Sequence, residues 1–218
     1  MRTFFRNHGL SVTMLGFFLV FFLFGQVYTG HKEYNHEREK AKESPLGLGA
    51  YLRSAHFLEA TAENWESEFL QMGVYVFATA WLYQKGSSES KDPRKRHQHH
   101  ATRAVTQDSP WPTRRGGWAL RLYEHSLSLA FFTLFAVSFG LHALGGQRLY
   151  NEERLRDGDA AISVADYLTS TRFWFESFQN WQSEFLAIAS MVLLSIFLRE
   201  ANSPESKQLQ TPHWENEE

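Results

Sequence analysis

The apolar residues of this chain gather in four blocks, separated by strongly polar stretches. Residues 10–28 are apolar and uncharged, and residues 126–144 are uncharged with one histidine near the end. Residues 69–83 and 185–198 are apolar but shorter. A bilayer core takes about 20 helical residues, with a range of roughly 17–25. The first and third blocks reach that length unaided. The second and fourth reach it only with the polar approaches around Trp65 and Trp181. Taking all four as helices predicts an all-α integral membrane protein with four transmembrane helices, since otherwise two apolar helices are left without a place. Arg2 and Arg6 before the first block have the look of a signal peptide, but no small-x-small cleavage site follows. The third block is similar and internal, so an uncleaved span is expected.

The polar stretches repeat. A shift of 116 residues lays 51–91 on 167–207, with identities that include Tyr51/Tyr167, Asn64/Asn180, Trp65/Trp181, Glu68/Glu184 and Lys91/Lys207. Tyr34-Asn35 and Arg38 fall on Tyr150-Asn151 and Arg154 at the same shift, and one residue of slippage aligns His8 with His125. The expected architecture is a tandem duplication of a two-span hairpin. Two spans per copy give both copies one orientation, with a pseudo-twofold axis along the membrane normal, unlike inverted-repeat transporters. The expected divisions are 1–83 and 118–200 for the two hairpins, 84–117 for a linker and 201–218 for a tail.

Charge orients the hairpins. The N-terminus and the linker are rich in Lys and Arg, which places both termini and the linker in the cytoplasm of a bacterial inner membrane. Linker and tail are polar, Ser- and Pro-containing, and expected to be disordered. The linker's His97, His99 and His100 are metal-capable, but a solvated basic stretch near anionic lipid is the better reading. Trp111 and Trp118 mark the interface before the third span. The net charge of −2 argues neither for nor against nucleic acid, and none is expected as a partner. With no cysteine, disulfides, thiolate metal sites and Cys nucleophiles are excluded.

The repeated Asn-Trp-x-Ser-Glu-Phe motif carries the candidate chemistry. On a helix, Asn64, Ser67, Glu68, Gln71, Tyr75 and Thr79 share one side. Asn180, Ser183 and Glu184 do the same in the second copy. Glu63 and Glu66 become Gln179 and Gln182, so Glu68 and Glu184 are the motif acids present twice. Acids at membrane depth usually face a bundle interior or water. The candidate polar site at the outer mouth is therefore Glu68, Glu184, Asn64, Asn180, Ser67 and Ser183, with Arg38 and Arg154 as counter-charges. The competing reading makes these residues interhelical hydrogen bonds.

His8 and His125 form no more than a weak pattern for axial haem ligands and are better read as interfacial. His31 and His142 have no histidine counterpart and carry less weight. No phosphate loop, dinucleotide loop, zinc-protease helix or nucleophile elbow is present, so an enzyme is not expected. No catalytic residue, metal site or cofactor is assigned. The motif, with Tyr51-Leu52-Arg53-Ser54 and the two Ser-x-Glu-Ser-Lys ends, resembles an uncharacterised family of bacterial four-span membrane proteins. The resemblance implies no activity, substrate or cofactor. Two roles remain: a structural or accessory membrane component, working as a homo-oligomer or with a membrane partner protein, and a small transporter or channel handling a cation or proton through paired Glu residues.

Overall fold

A computed structural model describes residues 2–91 and 105–216. Among these residues the chain is helical and contains no strand. Helix α1 is Arg2–Val20. It runs into a π-helical stretch, Phe21–Thr29, and then into α2, Gly30–Lys40. The remaining helices are α3 Leu48–Tyr51, α4 Ala55–Trp81, α5 Trp111–Arg115, α6 Gly117–Glu124, α7 Ser126–Arg156, α8 Val164–Leu168 and α9 Thr171–Phe197. Among the described residues, three stretches are long and apolar enough to cross a membrane: Asn7–Lys40, Ser126–Arg156 and Thr171–Phe197. Helix α4 is as long as α9, at 27 residues each, but its N-terminal half is laden with acids.

The distribution of polarity suits lipid. Leu10, Leu15, Phe17, Phe21 and Phe24 all project outward from the first helix. Leu134 and Val137 do so on α7, and Leu186, Leu193 and Phe197 on α9. Water would penalise so much exposed apolar surface, whereas acyl chains would not. The buried side chains include Glu59, Glu66, Gln71, His142 and several serines.

The chain divides into two compact units: Met1–Glu63 with Phe139–Trp174, and Asn64–Ser138 with Phe175–Glu218. In the first unit, two loops are built alike. Asn35 Nδ2 donates to Leu46 O at 2.9 Å, and its Oδ1 accepts from Leu46 N at 2.7 Å. Asn151 does the same with Ile162, at 3.0 and 2.9 Å. Arg38 Nε donates to Ser44 O and Arg154 Nε to Ala160 O. Each arginine also pairs with an acid of its own loop, Arg38 with Glu43 and Arg154 with Asp159. Tyr51 and Tyr167 are both fully buried, at 0% exposure. A Cβ on Gly30 would stand 2.4 Å from the Tyr51 hydroxyl oxygen, and one on Gly146 2.4 Å from that of Tyr167. Only glycine lets these rings lie so close to the helix backbone. Where the loops differ, the reason is local. Ser163 caps α8 in a reciprocal box with Asp166. The Ser163 hydroxyl and backbone bonds hold the Asp166 carboxyl below its ordinary value.

Lys42 sits at φ 61°, where the other loop has Gly158 at φ 85°. A side chain in this left-handed region is strained by about 1–2 kcal/mol. Lys42→Gly should therefore raise the thermal midpoint of the detergent-solubilised protein. Gly158→Lys should lower it.

In the second unit, α4, α7 and α9 supply the packed helices and the tail closes one end. Gly73 lets α4 approach α7, since a Cβ there would meet the Phe132 ring at 3.1 Å. Arg199 caps the end of α9, donating to the carbonyls of Ser195, Ile196 and Leu198. Arg115 lies over the rings of Trp111 and Trp118, at 5.1 and 5.7 Å from their centroids. The tail from 201, whose composition suggests disorder, forms hydrogen-bonded turns through residue 216. The reason is Lys207, 2% exposed, whose Nζ donates to the carbonyls of Pro212, His213 and Glu215. The linker residues 84–90 are likewise held in turns, by Asn216. His97, His99 and His100 lie outside the described residues.

Candidate functional site

Helix α4 carries acids at 59, 63, 66 and 68, and its packing sorts them. Residues 59, 62, 66 and 67 recur at the three- and four-residue spacing of one helix face, and all four are buried. Glu68 lies about 100° around the helix from Ser67 and is exposed, as is Asn64.

The motif's buried acid is thus Glu66, at 0% exposure. Its Oε1 accepts from Trp181 Nε1 at 3.0 Å, and the Trp181 ring meets Phe135 edge-on, with centroids 6.2 Å apart. Gln71 Nε2 donates to the Glu184 backbone carbonyl at 2.8 Å. Ser67 and Ser183 each donate to the carbonyl three residues earlier, that of Asn64 or Asn180, at 2.8 Å. Asn180 is half-buried and donates to Glu176 O. Glu184 is half-buried and close enough to Glu68 to feel its charge. Within this unit Glu66 and Gln71 join helix to helix, whereas Ser67, Asn180 and Ser183 bond within their own helices. Glu66→Ala strands the indole N–H and should cost about 1–3 kcal/mol. Glu66→Gln keeps an acceptor and should cost much less, by thermal unfolding in detergent.

Arg38 and Arg154 are engaged by their own loops, as described, and act there as loop staples. His8 and His125 each interrupt a helix, at φ −129° and −112°, and both are exposed.

A different constellation lies in the first unit. Glu59 and Glu63, one helical turn apart on α4, converge with His142 of α7, and one ligand atom from each lies within 4.8 Å of the others. His142 is 0% exposed and Glu59 9%. The His142 ring packs against Phe173, centroids 4.9 Å apart. Gly145, one turn along α7 from His142, makes the approach possible. A Cβ there would meet the Glu59 backbone N at 2.7 Å and its Cα at 2.9 Å.

Glu59 also lines a cavity of about 260 Å³, with Tyr34, His56, Glu153, Arg156 and Arg172. The arginines are balanced by acids. Arg172 forks onto Glu153, and Arg156 pairs with Glu43 at 2.8 Å. His56 stacks on Tyr34, centroids 4.5 Å apart. Glu59 is thus common to the charged pocket and to the cluster with Glu63 and His142.

Weighing residues by their recurrence hides this group. Glu63 becomes Gln179, Glu59 becomes Phe175, and His142 stands where the other copy has Gln26. Gln26 Nε2 spends itself on Thr61 Oγ1, at 3.2 Å. The signal present in the sequence was the i, i+4 pair of acids together with an uncharged apolar block holding one histidine.

The chain belongs to the family described as domain of unknown function DUF6766. The match covers residues 1–218, so the family takes in both units. No curated protein and no solved structure matches the chain.

Proposed function

We propose that this protein is a cation-binding membrane protein of the transporter or channel class, with Glu59, Glu63 and His142 as its site. The observation that carries the reading is the convergence of two acids and an imidazole within 4.8 Å, one of the acids, Glu59, also lining a charged pocket. Two carboxylates and an imidazole this close favour a shared proton or a bound cation. Ionisable groups held among apolar helices mark ion pathways more often than packing.

The wider architecture goes with it. The chain crosses a bacterial inner membrane four times, with α4 as the additional span, as two copies of a hairpin around an axis along the membrane normal. The paired asparagine staples, the paired buried tyrosines and the matching left-handed loop residues support a duplication. The basic N-terminus and linker lie in the cytoplasm, and the loops around 41–54 and 157–170 face outward. The motif around Trp65 and Trp181 serves assembly, which the Glu66–Trp181 bond supports. Glu68 and Glu184 then have a secondary electrostatic role.

Flux into proteoliposomes tests the reading, with dyes for protons and for divalent ions trapped inside. Wild type should carry at least one of these cations. Glu63→Gln should reduce that flux at least about tenfold, as expected for losing a charge-assisted contact worth about 1.5–3 kcal/mol, while still eluting as a folded species. Equal flux in both proteins, or none in wild type, would contradict it.

A further inference from the structure

We propose that Glu59, Glu63 and His142 coordinate one divalent first-row transition-metal ion. The inference rests on the cation-site reading above and narrows it to a ligand class. Two carboxylate oxygens and one imidazole nitrogen suit Zn²⁺, Mn²⁺, Fe²⁺ or Co²⁺. They offer no thiolate or thioether to favour Cu⁺.

The geometry is close to what such an ion requires. Bonds of about 2.1 Å to nitrogen and oxygen in tetrahedral array put ligand atoms about 3.4 Å apart. The three groups already lie within 4.8 Å, and a carboxylate torsion closes the remainder. The backbones are fixed where it matters, because Gly145 presses α7 onto Glu59. Three protein ligands leave at least one position for water or a substrate group, the arrangement of open rather than purely structural sites. The cavity beside Glu59 has room for several waters, at about 30 Å³ each.

A second observation points the same way. His56, one turn before Glu59 and lining the same cavity, has a buried Nδ1 with no hydrogen-bond partner among the described residues. A buried ring nitrogen is expected to have a partner. A metal-bound water in the cavity would supply one, giving His56 the outer-shell place that usually steadies such sites.

The test uses full-length protein in detergent, stripped with chelator, with His97, His99 and His100 replaced by serine to remove competing sites. Titration with Co²⁺ should give saturable visible absorption at one ion per chain, and Zn²⁺ should displace it. Glu63→Gln and His142→Gln should each weaken binding by about 100-fold or more, beyond the usual effect of an outer-shell change. Glu63→Asp, which keeps a carboxylate, should restore part of it. If one variant fails to fold, the other still decides. No saturable binding in wild type, or unchanged binding in folded variants, overturns the inference. Glu63-dependent proton flux without metal binding would overturn the metal ion and leave the cation-site reading standing.

Discussion

Replacing Gly145 by valine should unfold the first unit's helix packing and abolish ion binding together. A Cβ at this position meets backbone, not a movable side-chain tip, at 2.7 Å from Glu59 N and 2.9 Å from its Cα. Helices α4 and α7 must then part, and overpacking of this kind costs about 1–3 kcal/mol. Small residues are what allow membrane helices to touch backbone to backbone. Separation also carries Glu59 away from His142, so the site is lost even in molecules that stay folded. Gly140 is the control. It lies on the same helix with open space around its Cβ position, and Gly140→Val should leave both stability and binding nearly unchanged. Thermal unfolding in detergent and Co²⁺ absorption read the two effects. Equal damage from both substitutions would mean that the close approach is not what matters.

The second large effect is expected at Asn216. Its Oδ1 accepts from Gly86 N at 2.7 Å and from the Tyr83 hydroxyl at 3.0 Å. Its Nδ2 donates to the carbonyls of Gln84, Ser87 and Ser90. Gly86, at φ 85°, brings the linker turn so near the tail that a Cβ would stand 2.1 Å from His213 O. Asn216→Ala leaves several buried groups unpaired at about 1–3 kcal/mol each. The Gly86 amide should exchange roughly 100-fold faster, which corresponds to about 2.8 kcal/mol. A second contact of the tail with this turn, the Ser88 hydroxyl donating to Glu205 O at 2.8 Å, should depend on pH. Burial, and then the neighbouring Glu89 carboxylate, raise the Glu205 carboxyl above its ordinary value of 4.5. A released tail ionises first, so docking is tightest below that value and weakens as pH rises through the higher value of the docked state. Hydrogen exchange of residues 84–90 at several pH values should show that direction.

The long apolar helices were legible because lipid exposure demands long uncharged runs, and residues 10–28 and 126–144 supply them. The likeness of the two loops was legible as well. Asn35 and Asn151 share a sequence context and make the same two bonds. The use of Arg38 and Arg154 was not, because recurrence says that a residue matters without saying what it touches. Each reaches forward to a carbonyl six residues along its own loop. The burial of the acids was not legible for a related reason. Glu68 recurs but lies outward, whereas Glu66 does not recur and is enclosed against Trp181. Recurrence along the sequence also passes over Glu59, Glu63 and His142, which face Phe175, Gln179 and Gln26 at a shift of 116. The ordered tail was hidden because it depends on one buried lysine and one asparagine, against a composition that reads as disordered.

The most direct measurement is the accessibility of the pocket and its floor. The chain has no cysteine, so single cysteines can be placed at Leu52, His56, Glu59 and Leu141 without background. Intact cells or oriented vesicles are then treated with a membrane-impermeant thiol reagent. Labelling at 52, 56 and 59 from the outer face, slowed at 56 by added Zn²⁺ while Glu59, Glu63 and His142 are intact, and absent at the lipid-facing position 141, is the predicted result. Labelling at 52 that stops before 56 and 59 would mean a dry helix interface with no path to the acids, and would contradict the cation site.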